Sequence, residues 1–309
     1  MADPLPAAVH TFGYRAFCDF TCPCLVQAVE QTGRMRGGSQ PHLMRCSDGN
    51  YYVVKFRNNP QHRRVLVNEL LGTRLAALLG LPTLPFALVD VSRELICWTS
   101  DLAMEMPWGR VPCEPGVHFG SRYAGDPRRG RVDLEVPDYR LGEVENLRDF
   151  LGMLVFDQWT CNTDTRQVVF PEGSSSTLMV RMIDQGCCFN GDRWTFPDRP
   201  LWGLYPQRLV YRSVRSLDDF EPWLTRLDKL GVEDIQECAK NIPSAWWRFD
   251  RYALLRLLDQ LNHRRARIRE LLIAVRNSAQ QPFPNWMTRV RSASAQGEKR
   301  LELRLKLHG

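Results

Sequence analysis

The feature that most constrains this chain is a β-hairpin that carries a lysine on its second strand. Residues 41–46 (Pro-His-Leu-Met-Arg-Cys) and 51–56 (Tyr-Tyr-Val-Val-Lys-Phe) are β-rich runs. Between them Ser47-Asp48-Gly49-Asn50 supplies the Asp-Gly signal of a tight hairpin turn. Asn58-Asn59-Pro60 stops the second strand. Val65, Leu66, Glu69, Leu70, Thr73, Leu75, Ala76, Leu78 and Leu79 then recur at helical spacing, with Gly80 as the cap and Pro82 just beyond. Residues 86–91 read as a further strand. Within the Pro-, Gly- and Arg-rich stretch 107–131, Val117-His118-Phe119 is the strand candidate.

After Pro137 the pattern turns helical. Residues 147–159 are apolar on a helical period. Two β-rich runs, 168–170 and 178–183, flank the turn signal Pro171-Glu172-Gly173-Ser174-Ser175-Ser176 and predict a second hairpin. Helical periods return at 220–230 and 232–240, and one long helix is expected over 251–276. Residues 1–24 read as an extension, and 277–309 as a basic tail. The order predicts an α+β chain: a β-rich front segment (25–125) with one helix, then a mainly helical back segment (126–276).

Composition narrows the class. Of 309 residues, 44% are hydrophobic and 25% charged, which excludes wholesale disorder. The net charge of +6 permits an anionic ligand without identifying a nucleic-acid binder. No run approaches the roughly 18 apolar residues of a membrane span, and residues 1–10 lack the charged and apolar regions of a signal peptide. These features predict a cytoplasmic protein with reduced thiols. Cys22-Pro23-Cys24 and Cys187-Cys188 lack the spacing of zinc ligands, so the 10 cysteines read as packing residues.

Four groups of residues carry chemistry when taken in chain order. Gly37-Gly38-Ser39-Gln40 is a Gly-rich turn of the kind that lets backbone N–H groups approach phosphate oxygens. Lys55 on its strand and Glu69 on the following helix match the ion pair that positions nucleotide phosphates in kinases; Arg64 or Arg74 could instead pair with Glu69. Residues 157–167 close a buried helix with Asp157, Asn162, Asp164, Arg166 and Gln167, polar groups suited to orienting a hydroxyl and holding a metal. Asp184-Gln185-Gly186 ends a strand with a carboxylate at a turn, as Mg²⁺ chelation with phosphates requires. As isolated features they read as an ordinary turn, an edge charge, a capping loop and a hairpin turn.

In that order these residues resemble the HipA-like kinase family over residues 37–272. Gly-Gly-Ser-Gln-Pro-His at 37–42, Tyr-Val-Val-Lys-Phe at 52–56 and Asn-Glu-Leu-Leu-Gly at 68–72 look like its front lobe. Residues 118–123 look like the segment joining the lobes. Phe156-Asp157-Gln158-Trp159 with Asn162-Thr163-Asp164 resembles its catalytic loop, and Ile183-Asp184-Gln185-Gly186 its metal-binding turn. Ile242-Pro243, Trp246-Trp247 and residues 251–276 look like its C-terminal cap. The resemblance implies a bilobal protein-kinase-like fold, ATP and Mg²⁺ as cofactors, and a Ser or Thr hydroxyl on a protein as acceptor, in some members with an antitoxin or regulatory partner. It implies that Gly37, Gly38, Ser39 and Gln40 cover the phosphates and that Lys55, held by Glu69, contacts them. Asp164 would be the catalytic base, beside Asn162, and Asp184 would hold the metal. The wider family places an Asn five residues after the catalytic Asp. This chain has Val169 there, with Gln167 nearby as a replacement ligand.

Two other function classes follow from particular residues. Val169 points to a nucleotide-binding module without transfer. The clusters Arg128-Arg129-Gly130-Arg131 and 299–306 point to nucleic acid, although such clusters are usually solvated faces. The tryptophans of the back half read as core residues, and His118 as a packed histidine.

Overall fold

The computed structural model describes residues 23–130, 132–173, 177–247 and 250–286. Most of the expected extension, the tail beyond residue 286, Arg131 and residues 299–306 lie outside them. Five strands close into a barrel: β1 (Leu25–Arg34), β2 (His42–Cys46), β3 (Tyr51–Lys55), β4 (Phe86–Val91) and Gly116–Arg122. Between β4 and that last strand lie helix α2 (Arg93–Trp98) and the hairpin β5 (Ala103–Met106) and β6 (Gly109–Pro112), so Gly116–Arg122 is β7. The order around the barrel is β1-β2-β3-β7-β4, closed by the parallel pairing of β1 with β4. The predicted hairpin is present, with His42 opposite Val54 and Arg45 opposite Tyr51.

Strand alternation decides what each face packs against. Ala87, Val89 and Val91 of β4 point into the barrel with Met44, Tyr52, Val54 and Phe56. Phe86 and Leu88 point the other way, onto a larger core shared with the helices. Helix α1 (Val65–Leu78) belongs to that larger core and is buried from Val65 through Ala76. It ends in a Schellman motif: Gly80 N–H donates to Ala77 O and Leu81 N–H to Ala76 O, with Gly80 at φ +69°.

The back segment is built around α3 (Asp149–Thr160), buried from Phe150 onward. The second predicted hairpin is β8 (Gln167–Val169) and β9 (Arg181–Ile183). Helices α4 (Trp223–Lys229) and α5 (Val232–Cys238) follow as expected. A Cβ on Gly152 of α3 would fall inside the Trp223 ring, so this glycine sets how closely α4 approaches.

Three expectations are corrected. The front segment contains two helices, because six residues after β4 form α2 with Ser92 as N-cap. Residues 251–276 form two helices, α6 (Arg251–Arg265) and α7 (Ile268–Arg276). Neither Gly nor Pro marks that break. Arg264 and Arg267 on either side of it both donate to Asp198, at 2.9 and 2.7 Å, a tertiary demand that periodicity does not register. Thiols are not all reduced, since Cys24 is disulfide-bonded.

Two histidines of the barrel are buried and neutral. His118 accepts Arg57 N–H at Nδ1 and donates from Nε2 to Glu114 O, the packed role expected for it. Burial, with Arg57 adding to it, pushes its pKa down to about 3. Burial pushes His42, bonded to Gln31, down to about 4. Unfolded histidines titrate near 6.5. The stability these groups contribute is therefore complete above that pH and is lost as pH falls toward 4 and then 3, by about 1.4 kcal/mol per pH unit for each histidine. Urea unfolding at pH 7.0 and 5.5 should show this slope, and His118→Asn should reduce it. An unchanged slope in the variant would assign the acid sensitivity elsewhere.

Among the described residues no helix is long and apolar enough to cross a membrane. Arg128 of the basic cluster is engaged in a two-pronged contact with Asp126, at 2.9 and 2.8 Å.

Candidate active site

Lys55 ends β3 facing away from the barrel interior, which places its chain between the barrel and α1. Its ammonium donates to Glu69 Oε1 of α1 and, at 2.7 Å, to Asp184 Oδ1. Arg64 and Arg74, the alternative partners for Glu69, are used elsewhere: Arg64 donates to Asp192 O and stacks on Trp194, and Arg74 donates to Cys238 O and Lys240 O. Burial pulls the Lys55 pKa down, but Asp184 and Glu69 outweigh it and hold the group above its usual value. Glu69 is raised by its burial, with Lys55 partly opposing and Asp184 adding. Asp184 feels burial upward, yet Lys55 wins and holds it below the usual carboxylate range. One ammonium thus serves two carboxylates, and the group carries one negative charge in excess.

Asp184 has φ +57°, a left-handed backbone that an Asp tolerates better than most residues. Gly186 follows in a space where a Cβ would lie 3.1 Å from Glu69 Oε1 and 3.4 Å from Asp184 Oδ1. Gln185 N–H donates to Glu69 Oε2 at 3.1 Å. The glycine of the Asp-Gln-Gly turn is therefore needed for close approach to the carboxylates.

The residues expected to form a catalytic loop make the facing wall. Cys161 ends α3 in a left-handed conformation (φ 54°) and turns the chain back. Asn162 is buried, with Nδ2 donating to Asp157 Oδ1 and Oδ1 accepting Asp164 N–H. Both ends of its amide shape the loop, so it positions Asp164. Asp164 is half-buried and accepts Thr165 N–H and, at 2.9 Å, Gln167 Nε2. That bond leaves the Gln167 carbonyl oxygen as its acceptor end. In the β8–β9 ladder Gln167 lies opposite Ile183, one residue before Asp184. Thr163 N–H donates to Cys187 O, closing the two loops on each other.

Beneath both loops lies an ion pair whose place was not legible beforehand. Arg166 donates through Nε and Nη2 to the Asp157 carboxylate, and through Nη1 to Ile183 O (2.8 Å) and Gln185 Oε1 (3.0 Å). Both side chains are essentially inaccessible. Burial raises the Asp157 pKa against the opposing pull of Arg166. Burial lowers Arg166, and Asp157 more than reverses it. Gly203 touches the same pair, since a Cβ there would overlap the Asp157 side chain, and its N–H donates to Asp164 O.

The Gly-rich turn is joined to a different element. Gln40 N–H donates to Gly37 O, and a Cβ on Gly38 would meet Gln61. The Gln40 amide donates to Glu105 O at 2.8 Å and accepts Glu105 N–H at 2.7 Å, so this side chain fastens the turn to β5. Ser39 is buried. What the turn offers a phosphate is therefore its backbone around Gly37, Gly38 and Ser39. Sequence reasoning also passed over Asn68 and His62. Asn68 is a fully buried polar residue within a leucine-rich helix, a combination that is costly unless bonded and was the available signal. Both His62 ring nitrogens are buried beside the Gly186 backbone, and burial lowers the pKa of the ring.

Among the described residues, no three His, Cys, Asp or Glu side chains cluster as a self-sufficient metal site. Asp184, with Gln167 across the ladder, presents oxygen donors with excess negative charge. That set fits a hard divalent cation that takes its other ligands from phosphates and water.

In fold, the chain is similar to the crystal structure of a Helicobacter pylori proinflammatory kinase, CtkA, with TM-score 0.50 and 11% identity over 84% of this chain and 100% of that chain. It is also similar to the Golgi casein kinase with Mn and ADP bound (TM-score 0.46, 12% identity, 86% and 75% covered) and to the Golgi casein kinase alone (0.44, 12%, 85% and 76%). No protein of curated function matches the chain. The likeness to CtkA supports a kinase-like α+β fold. The HipA-like kinase profile matches residues 28–186, from β1 through the last glycine of the Asp-Gln-Gly turn. More than half of the sequence lies in that match, and the chain belongs to the HipA-like kinase family.

Proposed function

We propose that this protein is an ATP- and Mg²⁺-dependent kinase that transfers the γ-phosphoryl group to a Ser or Thr hydroxyl, on a protein acceptor. The observation that carries this reading is the Lys55 ammonium held between Glu69 and Asp184, with Asp164 on the adjoining loop. Residues 25–125 and 126–276 would act as two lobes, with the nucleotide between the barrel and the helical segment. Lys55 would bind the phosphates, and the backbone at Gly37, Gly38 and Ser39 would cover them. Asp184, assisted by the Gln167 carbonyl, would hold Mg²⁺. When bound, the cation would neutralise phosphate charge.

Phosphoryl transfer passes through a loose transition state, so positioning and electrostatics dominate. Asp164 would orient the acceptor hydroxyl and take its proton as the new P–O bond forms and the bond from the γ-phosphorus to the β–γ bridging oxygen breaks, with ADP leaving. The orientation of Asp164 is held by Asn162, Thr165 and Gln167. Lys55 stays protonated throughout, because two carboxylates raise its pKa.

A second reading, nucleotide binding without transfer, is favoured by Val169. This residue is buried in β8 and offers no ligand atom where the wider family has Asn. Titration of the purified protein with ATP, with and without Mg²⁺, combined with labelled γ-phosphate transfer to itself or to lysate proteins, separates the readings. Mg²⁺-dependent binding with transfer is expected. Binding without transfer would select the second reading, and no binding would overturn both.

A further inference from the structure

Asn68 sits one residue before Glu69 on α1 and is fully buried. Its Nδ2 lies within hydrogen-bond distance of three carbonyl oxygens from one short stretch: Gly186 O (2.8 Å), Cys188 O (3.0 Å) and Gly191 O (2.9 Å). Its Oδ1 accepts Trp194 Nε1–H at 2.9 Å. Arg64, at the start of α1, lies 4.0 Å above the Trp194 ring. The chain that leaves Asp184 is thus coiled around a single amide for ten residues. We infer that Asn68 is a positioning residue for the proposed metal-binding carboxylate, holding Asp184 in its left-handed, cation-facing conformation.

The reasoning starts from strain. A left-handed non-glycine residue costs about 1–2 kcal/mol and persists only where its surroundings hold it. Asp184 is followed by Gln185, tied to Glu69, and by Gly186, whose carbonyl is tied to Asn68. Both anchors lie on the same helix. That helix is in turn fixed to the back segment, where Arg74 donates to Cys238 O and Lys240 O, and Arg226 donates to Leu79 O. Gly72 completes the fit, since a Cβ there would meet Gln185 Cβ at 2.8 Å. Helix α1 and the Asp184 turn therefore form one rigid unit. Glu69 aligns Lys55 and Asn68 aligns Asp184, from adjacent positions of one helix.

This inference rests on the Mg²⁺-ATP reading above, and its test separates the two. Groups behind a metal ligand typically change metal affinity about 10–100-fold when removed. In Asn68→Ala, the gain in ATP affinity on adding Mg²⁺ should fall by about tenfold or more, while Mg²⁺-free ATP affinity stays within about twofold. Hydrogen exchange of the unliganded protein should accelerate at amides 185–191 and remain unchanged at 70–76. A Mg²⁺-dependent gain equal to wild type, or an equal loss with and without Mg²⁺, would overturn the inference. Trp194→Phe keeps an aromatic ring under Arg64 but removes the donor to Oδ1, and serves if Asn68→Ala does not fold. It should show the same loss to a smaller extent, and unchanged Mg²⁺ dependence together with unchanged exchange at 185–191 would overturn the inference there too. A wild type without any Mg²⁺-dependent gain would instead refute the functional reading, with the exchange experiment still deciding the role of Asn68.

Discussion

Asp184→Ala should abolish phosphoryl transfer while leaving the fold as stable as before or more so. Removing one electrostatic group from a transition-state site costs about 2.7–4 kcal/mol, or 10²–10³ in rate. Loss of the only carboxylate in the Asp-Gln-Gly turn should therefore lower single-turnover transfer by at least about 10³. Stability moves the other way for an electrostatic reason. Lys55 sits between two carboxylates, and deleting Asp184 leaves a balanced Lys55–Glu69 pair. Lys55→Met should also be inactive, but it leaves Glu69 and Asp184 facing each other without a cation. Breaking a buried pair in this way costs about 3–5 kcal/mol. Two inactive variants with opposite shifts in melting temperature are the expected signature. Equal transfer by wild type and Asp184→Ala would eliminate the metal-binding role.

Arg166→Met should be strongly destabilising. It strands the fully buried Asp157 carboxylate and removes the donors that Ile183 O and Gln185 Oε1 accept from. The expected cost is about 3–5 kcal/mol, roughly 5–8 °C in melting temperature for a chain of this size. Asp157→Leu alone should cost a similar amount by stranding the guanidinium. The double variant should be milder than the sum of the two, because an apolar pair leaves no buried charge. Thermal melts of the four proteins test this. Strict additivity would show that the ion pair does not act as a unit. Nucleotide binding in Arg166→Met should weaken too, because Arg166 joins Asp157 to the turn that carries Asp184.

Much of this site was legible because each part has a local signature. The Asp-Gly turn fixed the hairpin register that brings Lys55 to the strand end. Apolar periodicity marked α1 and α3, and the Asp-x-Gly turn after β9 marked Asp184. The roles of neighbouring polar residues were less legible. Gln40 was expected at the phosphates, and the bridge its side chain makes to the backbone of Glu105, sixty-five positions away, was not foreseen. Asn162 was expected beside the catalytic Asp, and its bracing bonds to Asp157 and Asp164 were not foreseen. An amide has donors and an acceptor that can be satisfied in many ways, and composition does not say which partner will be near.

The amino-acid sequence by itself determined the order of elements, the family and the residues with reactive side chains. These follow from turn chemistry, hydrophobic period and short motifs, all of which act over a few residues. Only the tertiary structure decided which groups meet. It brought Asp184 to Lys55 across 129 positions, wound residues 186–194 around Asn68, and split the last helical stretch at two arginines that share Asp198. The physical reason is burial. A charged or amide group inside the core must find a partner, and the partner's distance along the chain does not enter that requirement.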